Sequence, residues 1–282
     1  MPRTIVFTER YRSEQISPGV LLEQFHPGGK NGPNNEILSN HPGGQVWSEM
    51  VVLGDQSDPF QLAIPDIRLP ANQIWPLHWH DCWVGIVILE GECLIGDWWM
   101  KAGDVLITGA SLEYGPLLVG PQGCRMFEVF AKLHLQAGGY ASEYRDHPTL
   151  QGATMPFNFA DRTGVNKRNE GHQCLAIGGV DGFTKGHLTP GSQWSVGESA
   201  DPERGLMKVT RLSPGEPLVP HSYSDWHAIL VFDGALQVAG RTVINDQYLL
   251  MKPNSRVDEI RAGDKGALLL ELSRTARGMQ RN

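Results

Sequence analysis

Short apolar segments separated by turn residues make up most of the chain beyond residue 60. Glycine–aspartate pairs such as Gly96-Asp97 stand between them, as in tight turns between strands. No long segment carries apolar residues at the 3.6-residue spacing of an amphipathic helix. The pattern therefore predicts an all-β protein built as a sandwich or a barrel. The predicted strands are 61–64, 84–89, 94–95, 98–100, 103–107, 126–131, 174–177, 207–212, 228–232, 235–238, 248–251 and 267–272.

The later strands repeat the earlier ones at a constant displacement of 143 residues. This shift carries His78 onto His221, Gly91 onto Gly234 and Glu128 onto Glu271. It needs no gap between residues 68 and 128 of the first copy. A single register over that length indicates a duplicated domain.

Composition and charge narrow the range of functions. The net charge of −7 and the lack of a basic block argue against binding to nucleic-acid phosphates. No run approaches 18 apolar residues, and the first ten residues lack the apolar core of a signal peptide, so we expect no membrane span or membrane partner. The four cysteines form no CxxC pair, which favours free thiols and a cytoplasmic location.

Two histidines carry the clearest chemical signal. His78 and His80 are two residues apart, so on a strand both side chains point to the same face and can reach one metal ion. Their segment, PLHWHDCWVGIVILEGE, resembles the first motif of the cupin family, an HxH pair followed by a glutamate and then a glycine. Gly91 matches the glycine, whereas Val84 stands at the position of the glutamate.

The resemblance extends to a second motif over residues 103–114, where the family's third histidine is replaced by Tyr114. Together with the repeat, it implies two tandem jelly-roll (cupin) β-barrels, as in bicupins. We predict that residues 60–135 form the N-terminal barrel and residues 171–282 the C-terminal barrel. Residues 1–59 would form an arm that packs on the barrels, and residues 136–170 a linker.

In the first barrel the resemblance implies a metal held by His78 and His80. The third ligand would be Tyr114 as a phenolate, Glu113, or a residue of the 20–45 loop. Tyr114 and Glu113 are also candidates for acid–base catalysis. Two alternatives remain open: a polar interior that binds substrate without metal, and a purely structural pair of histidines.

In the second barrel the same shift gives His221, Tyr223 and His227, which share one parity along the chain. His227 stands where the family motif has its glutamate. We predict His221 and His227 as metal ligands, and Tyr223 and His227 as catalytic groups. The alternative is an eroded barrel kept for packing.

The duplicated acids Glu128 and Glu271 have an expected structural role. Arg68 and Arg211 match each other across the same repeat, so we expect salt links between these acids and these arginines. As general bases, the two glutamates would instead have to face the barrel cavity.

The resemblance implies an enzyme that acts on a small oxygenated organic molecule. A non-haem dioxygenase-type oxidoreductase with Fe(II) or Mn(II) is the favoured interpretation, and Ni or Zn is the other choice of divalent metal. An isomerase, epimerase or cyclase that uses His and Tyr for acid–base chemistry is one alternative. A non-catalytic cupin that binds a small ligand is another. Clustered tryptophans lead us to expect a homodimer.

Overall fold

A computed structural model describes residues 12–24, 47–55, 61–75, 78–95, 98–102, 104–110, 114–132, 137–138, 193–196, 205–219, 222–245 and 247–275. All regular elements in these ranges are strands, and no helix among them is long and apolar enough to cross a membrane. The strands are β1 Arg12–Ser17, β2 Val20–Gln24, β3 Trp47–Leu53, β4 Leu62–Leu69, β5 Ile74–Trp75, β6 Trp79–His80, β7 Val84–Ile95, β8 Trp98–Lys101, β9 Val105–Thr108, β10 Leu117–Phe130, β11 Ala137–Gly138, β12 Gln193–Val196, β13 Gly205–Leu212, β14 Ser222–Tyr223, β15 His227–Val238, β16 Arg241–Val243, β17 Gln247–Met251, β18 Ser255–Arg256 and β19 Ile260–Ser273.

The chain divides into two compact units, each with one large sheet. In the first unit the strand order is β3-β4-β10-β7-β8, with β5 paired to β10 and β9 to β7. In the second unit the order is β1-β2-β17-β15-β19-β13-β12, with β16 paired to β15. The short strands β6 and β11 form a separate pair, as do β14 and β18.

The pairing register of the two units is the same after displacement by 143 residues. In the first unit β10 pairs with β7 from Phe130 opposite Val84 to Met126 opposite Ile88, and beyond that pair the register shifts by one residue. In the second unit the equivalent residues pair in the same way, and the slip between β19 and β15 falls at the equivalent position. A β-bulge conserved between two copies is a specific feature of backbone geometry. The duplication predicted from the sequence is therefore confirmed.

The repeated glycine of the motif is required by a close approach of two backbones. Gly91 and Gly234 have φ angles of 70° and 75°, in the left-handed region that favours glycine. A Cβ atom on Gly91 would lie 2.1 Å from the carbonyl oxygen of Gly123, and one on Gly234 would lie 2.1 Å from that of Gly266. The sequence repeat at these positions therefore reflects a steric requirement.

The N-terminal hairpin of β1 and β2 belongs to the second unit. Strand β2 pairs with β17, from Gln24 opposite Gln247 to Val20 opposite Met251. The predicted domain boundaries stay predictions, because much of 1–59 and 136–170 lies outside the described residues.

Candidate functional site

The first unit brings His78, His80 and Tyr114 together in its interior. The backbone N–H of His78 donates to the carbonyl of Tyr114 at 3.1 Å, and the N–H of Tyr114 donates to the carbonyl of His78 at 2.9 Å. The ring centroids of His78 and Tyr114 are 4.4 Å apart, and those of the two histidines are 5.2 Å apart. All three residues are buried. A backbone bridge thus places the tyrosine of the second motif against the histidines of the first.

Tyr114 links His80 to a buried carboxyl group. Its hydroxyl lies 3.0 Å from Nε2 of His80 and 3.3 Å from Oε1 of Glu128. Glu128 lies on β10 opposite Ile86 of β7. Burial raises the pKa of Glu128 to about 7, although its hydrogen bond with Tyr114 lowers it in part. Phe130 packs edge-on against the His80 ring, with centroids 4.8 Å apart. The three polar groups form a continuous hydrogen-bonded chain that is shielded from solvent.

The second unit places Tyr223 and His227 in contact. Their rings are stacked with centroids 4.8 Å apart and an interplanar angle of 30°. Nε2 of His227 lies 3.5 Å from Oε2 of Glu271, which is an ion-pair distance and too long for a good hydrogen bond. His221 lies outside the described residues, so its predicted place in this cluster stays a prediction.

Comparison with solved structures identifies the fold. A candidate dioxygenase from Nostoc punctiforme superposes with a TM-score of 0.56 at 13% identity, over 82% of this chain and 74% of that one. A bacterial pirin from Escherichia coli in complex with nickel(II) gives 0.49 at 12% identity, over 90% and 98%. A cupin 2 conserved barrel domain protein from Leptotrichia buccalis gives 0.44 at 15% identity, over 85% and 94%. These neighbours are cupin-fold proteins.

The chain has the cupin fold. The predicted all-β class and tandem cupin barrels are thereby confirmed. No family model matches the chain, and a search of curated proteins found no relative. At these identities the likeness establishes the fold alone.

The metal site expected in a cupin is not formed by the described residues. Two imidazoles and a carboxylate are a donor set that suits non-haem iron. However, no group of three His, Cys, Asp or Glu residues within the described ranges is arranged to hold a metal ion. The Tyr114 hydroxyl stands between His80 and Glu128 and bonds to both. Tyr114 thus separates Glu128 from the histidines, and no triad of His, Cys, Asp or Glu forms in the described part of the first barrel. The predicted ligand set of His78, His80 and Tyr114 stays a prediction, as does Glu113, which lies outside the described residues.

The salt links expected for the duplicated glutamates are not formed. Glu128 bonds to Tyr114, whereas Arg68 lies 3.9 Å from the carboxylate of Asp66. Asp66 also receives two hydrogen bonds of 2.9 Å from Arg125. Glu128 was not predicted as a site residue, because the matching arginines Arg68 and Arg211 suggested structural partners for the two glutamates. The signal that could have found it is its own match to Glu271 across the repeat.

Glu271 of the second cupin barrel is held as an anion. Burial would raise its pKa, but His227, Lys208 and Thr210 lower it to about 2. Nζ of Lys208 lies 3.5 Å from Oε1 of Glu271, and the hydroxyl of Thr210 donates to the same oxygen. Burial and the charge of Glu271 together raise the pKa of Tyr223, so this residue stays a neutral phenol. The described residues provide no hydrogen-bond partner for the Tyr223 hydroxyl.

Proposed function

We propose that the first cupin barrel is the active site of an enzyme that performs general acid–base chemistry on a small oxygenated organic substrate. The reaction class is isomerisation, epimerisation or cyclisation. The observation that carries the proposal is the 3.0 Å contact between Nε2 of His80 and the hydroxyl of Tyr114 inside a buried polar site. An imidazole and a phenol in hydrogen-bond contact can act as a base and an acid toward one bound molecule.

The proposed reaction transfers protons only. The His80 imidazole removes a proton from the carbon beside a substrate carbonyl, and the electron pair of the broken C–H bond forms an enol. The Tyr114 hydroxyl gives its proton to the carbonyl oxygen. In the second half of the reaction the proton on His80 returns to carbon, and Tyr114 regains its own proton from the enol hydroxyl. No atom or electron is gained or lost, so the cycle needs no oxidant.

His78 has a positioning role in this scheme. It is 2% exposed, and its backbone exchanges two reciprocal hydrogen bonds with the backbone of Tyr114. Its ring lies against the Tyr114 ring and perpendicular to that of His80, at an interplanar angle of 83°. These contacts fix the direction of the phenol, and orientation of catalytic groups lowers the barrier to reaction.

The test is hydrogen exchange at carbon. The protein, treated with a chelator, is incubated in D2O with simple α-hydroxy ketones and aldoses, and deuterium incorporation is followed by NMR. We expect exchange catalysed by the chelated wild type and lost in Tyr114→Phe. Tyr248→Phe is the matched control, because Tyr248 is also a buried tyrosine that donates to a glutamate, at 3.3 Å from Glu23. Absence of exchange in the wild type, or equal exchange in Tyr114→Phe, would overturn the proposal.

A metal-dependent dioxygenase is the second candidate. It is favoured by the adjacent buried rings of His78 and His80 and by the shared fold with the candidate dioxygenase. Its third ligand would be Tyr114 as a phenolate or a residue outside the described ranges. After reconstitution with Fe(II) or Mn(II), it predicts oxygen uptake with diketones or phenols, and this uptake would be lost in His78→Ala/His80→Ala. The acid–base proposal predicts no such uptake.

A further inference from the structure

The two repeats differ in one row of three residues that crosses the sheet. In the first repeat this row holds Arg68, Arg125 and Glu90 on three neighbouring strands. The Arg125 guanidinium is buried, and it donates to Glu90 at 3.0 Å and to Asp66 through two hydrogen bonds of 2.9 Å. The middle position of the row is therefore filled by a long cationic side chain that is paired with two carboxylates.

In the second repeat the arginine in the middle of the row is replaced by an apolar residue. The row there holds Arg211, Leu268 and Asp233, so a cation and an anion remain at its two ends. Val209 stands at the position of Asp66. Because neighbouring strands lie about 4.8 Å apart, the backbones of the two charged residues are roughly 10 Å apart across Leu268.

A cavity of about 210 Å³ lies at this row of the second repeat. It is lined by Leu268 and by three exposed charged residues, Arg211, Asp233 and Lys265. Within the described part of the chain, none of these three charged side chains forms an ion pair or a hydrogen bond. Lys265 is a second cation with no counterpart in the first repeat, where Gln122 stands at its position. The cavity thus combines an apolar residue with unpaired charges of both signs.

The charges around the cavity define the class of ligand that would fit it. A carboxylate suits Arg211 and Lys265, because a guanidinium can bind both carboxylate oxygens through parallel hydrogen bonds. A cationic group suits Asp233, as the Arg125 guanidinium suits Glu90 at the equivalent place in the first repeat. A ligand with a single charge leaves one end of the cavity unpaired, whereas a small zwitterion pairs with both ends.

We infer that this cavity is a binding site for a free amino acid, which places its carboxylate at Arg211 and a cationic group at Asp233. Arginine is the best match, since its guanidinium would supply the group that the second repeat lacks. The site goes beyond the proposed acid–base function and does not depend on it. Leu268 and Glu271 differ in parity along their strand, so the cavity lies on the face of the sheet opposite to Glu271.

The test is isothermal titration calorimetry of the full chain with L-arginine at low ionic strength. The comparison probes are agmatine, which lacks the carboxylate, and pentanoate, which lacks the cationic groups. We expect saturable binding of arginine that is at least about 10-fold tighter than that of either probe. Arg211→Gln and Asp233→Asn should each raise the Kd by about 10-fold to 100-fold, because each removes a charge-assisted contact. Lys252→Gln is the matched control, since this exposed lysine of the same unit does not line the cavity, and it should leave the Kd unchanged.

The double variant Val209→Asp/Leu268→Arg gives the second repeat the residues of the first and should abolish binding by filling the cavity. Arg211→Gln and Asp233→Asn change exposed side chains, so they keep the test decisive if the double variant does not fold. Lack of saturable arginine binding in the wild type would overturn the inference. Equal affinity for agmatine or pentanoate, or a Kd that stays the same in Arg211→Gln and Asp233→Asn, would also overturn it.

Discussion

The substitution Glu128→Gln should change how the stability of the protein depends on pH. Burial raises the pKa of Glu128 from 4.5 to about 7 in the folded protein. A folded state that holds its proton more tightly than the unfolded state is stabilised below the unfolded pKa. That contribution is lost as the pH rises through the folded pKa. The wild type should therefore lose stability between about pH 4.5 and pH 8, and a glutamine cannot show this loss.

The expected size follows from the change in pKa. A difference of one in pKa corresponds to about 1.4 kcal/mol, so the rise from 4.5 to about 7 corresponds to about 3.5 kcal/mol. Because Glu128 is 8% exposed, screening by solvent reduces this figure little. The free energy of unfolding of Glu128→Gln minus that of the wild type should increase by about 2.5 kcal/mol from pH 5 to pH 8, since the rest of the effect lies below pH 5.

The assay is urea denaturation at fixed ionic strength from pH 5 to pH 8. Glu271→Gln is the matched control, because this glutamate occupies the same position in the second repeat and its pKa is lowered to about 2. Its contribution to stability is fully present above pH 4.5 and is lost only as the pH falls toward 2, so its difference from the wild type should be constant over the range. Parallel curves for Glu128→Gln and the wild type would show that folding does not raise the pKa of Glu128.

Three further predictions concern individual contacts. Gly91→Ala should destabilise the protein by about 3 kcal/mol or more in thermal unfolding, because its Cβ would lie 2.1 Å from a carbonyl oxygen. The control Gly215→Ala should cost only about 1 kcal/mol, because Gly215 has a similar φ but open space around it. Arg125→Leu should cost about 3–5 kcal/mol in denaturant titrations, because it leaves the buried carboxylate of Asp66 without its bidentate partner. Adding Asp66→Val should restore most of that stability. The double variant has the residues of the second repeat, where Val209 and Leu268 stand at these two positions. Tyr114→Phe should lower kcat for carbon exchange by about 100-fold to 10,000-fold in steady-state kinetics. It should also cost about 1–3 kcal/mol of stability, because it removes the buried hydrogen bond to Glu128.

The repeat made the fold predictable from the sequence. Glycine and apolar positions such as Gly91 and Ile86 are fixed by backbone approach and burial, which act the same way in both copies, so their pattern survives duplication. The pairing of β2 with β17 was not predictable, because it joins segments far apart in the chain and has no counterpart in the repeat.

The partners of charged groups were predicted poorly. Arg68 and Glu128 match across the repeat, but a match does not show which side chains share a face or which competing partner lies nearer. Arg125 donates hydrogen bonds to Asp66, and Glu128 accepts one from Tyr114. The site histidines were predicted because their spacing alone places them together. The expected small-molecule substrate, homodimer and cytoplasmic location stay predictions.

The metal content of the untagged protein decides most directly whether the His80–Tyr114 pair works by proton transfer without a metal ion. Elemental analysis is made on the protein as purified and after exposure to Fe(II), Mn(II), Ni(II) and Zn(II) followed by gel filtration, with His78→Ala/His80→Ala measured in parallel. We expect far less than one metal ion per chain in both proteins, if the pair works by proton transfer alone. A near-stoichiometric metal that is present in the wild type and absent from the double variant would contradict it.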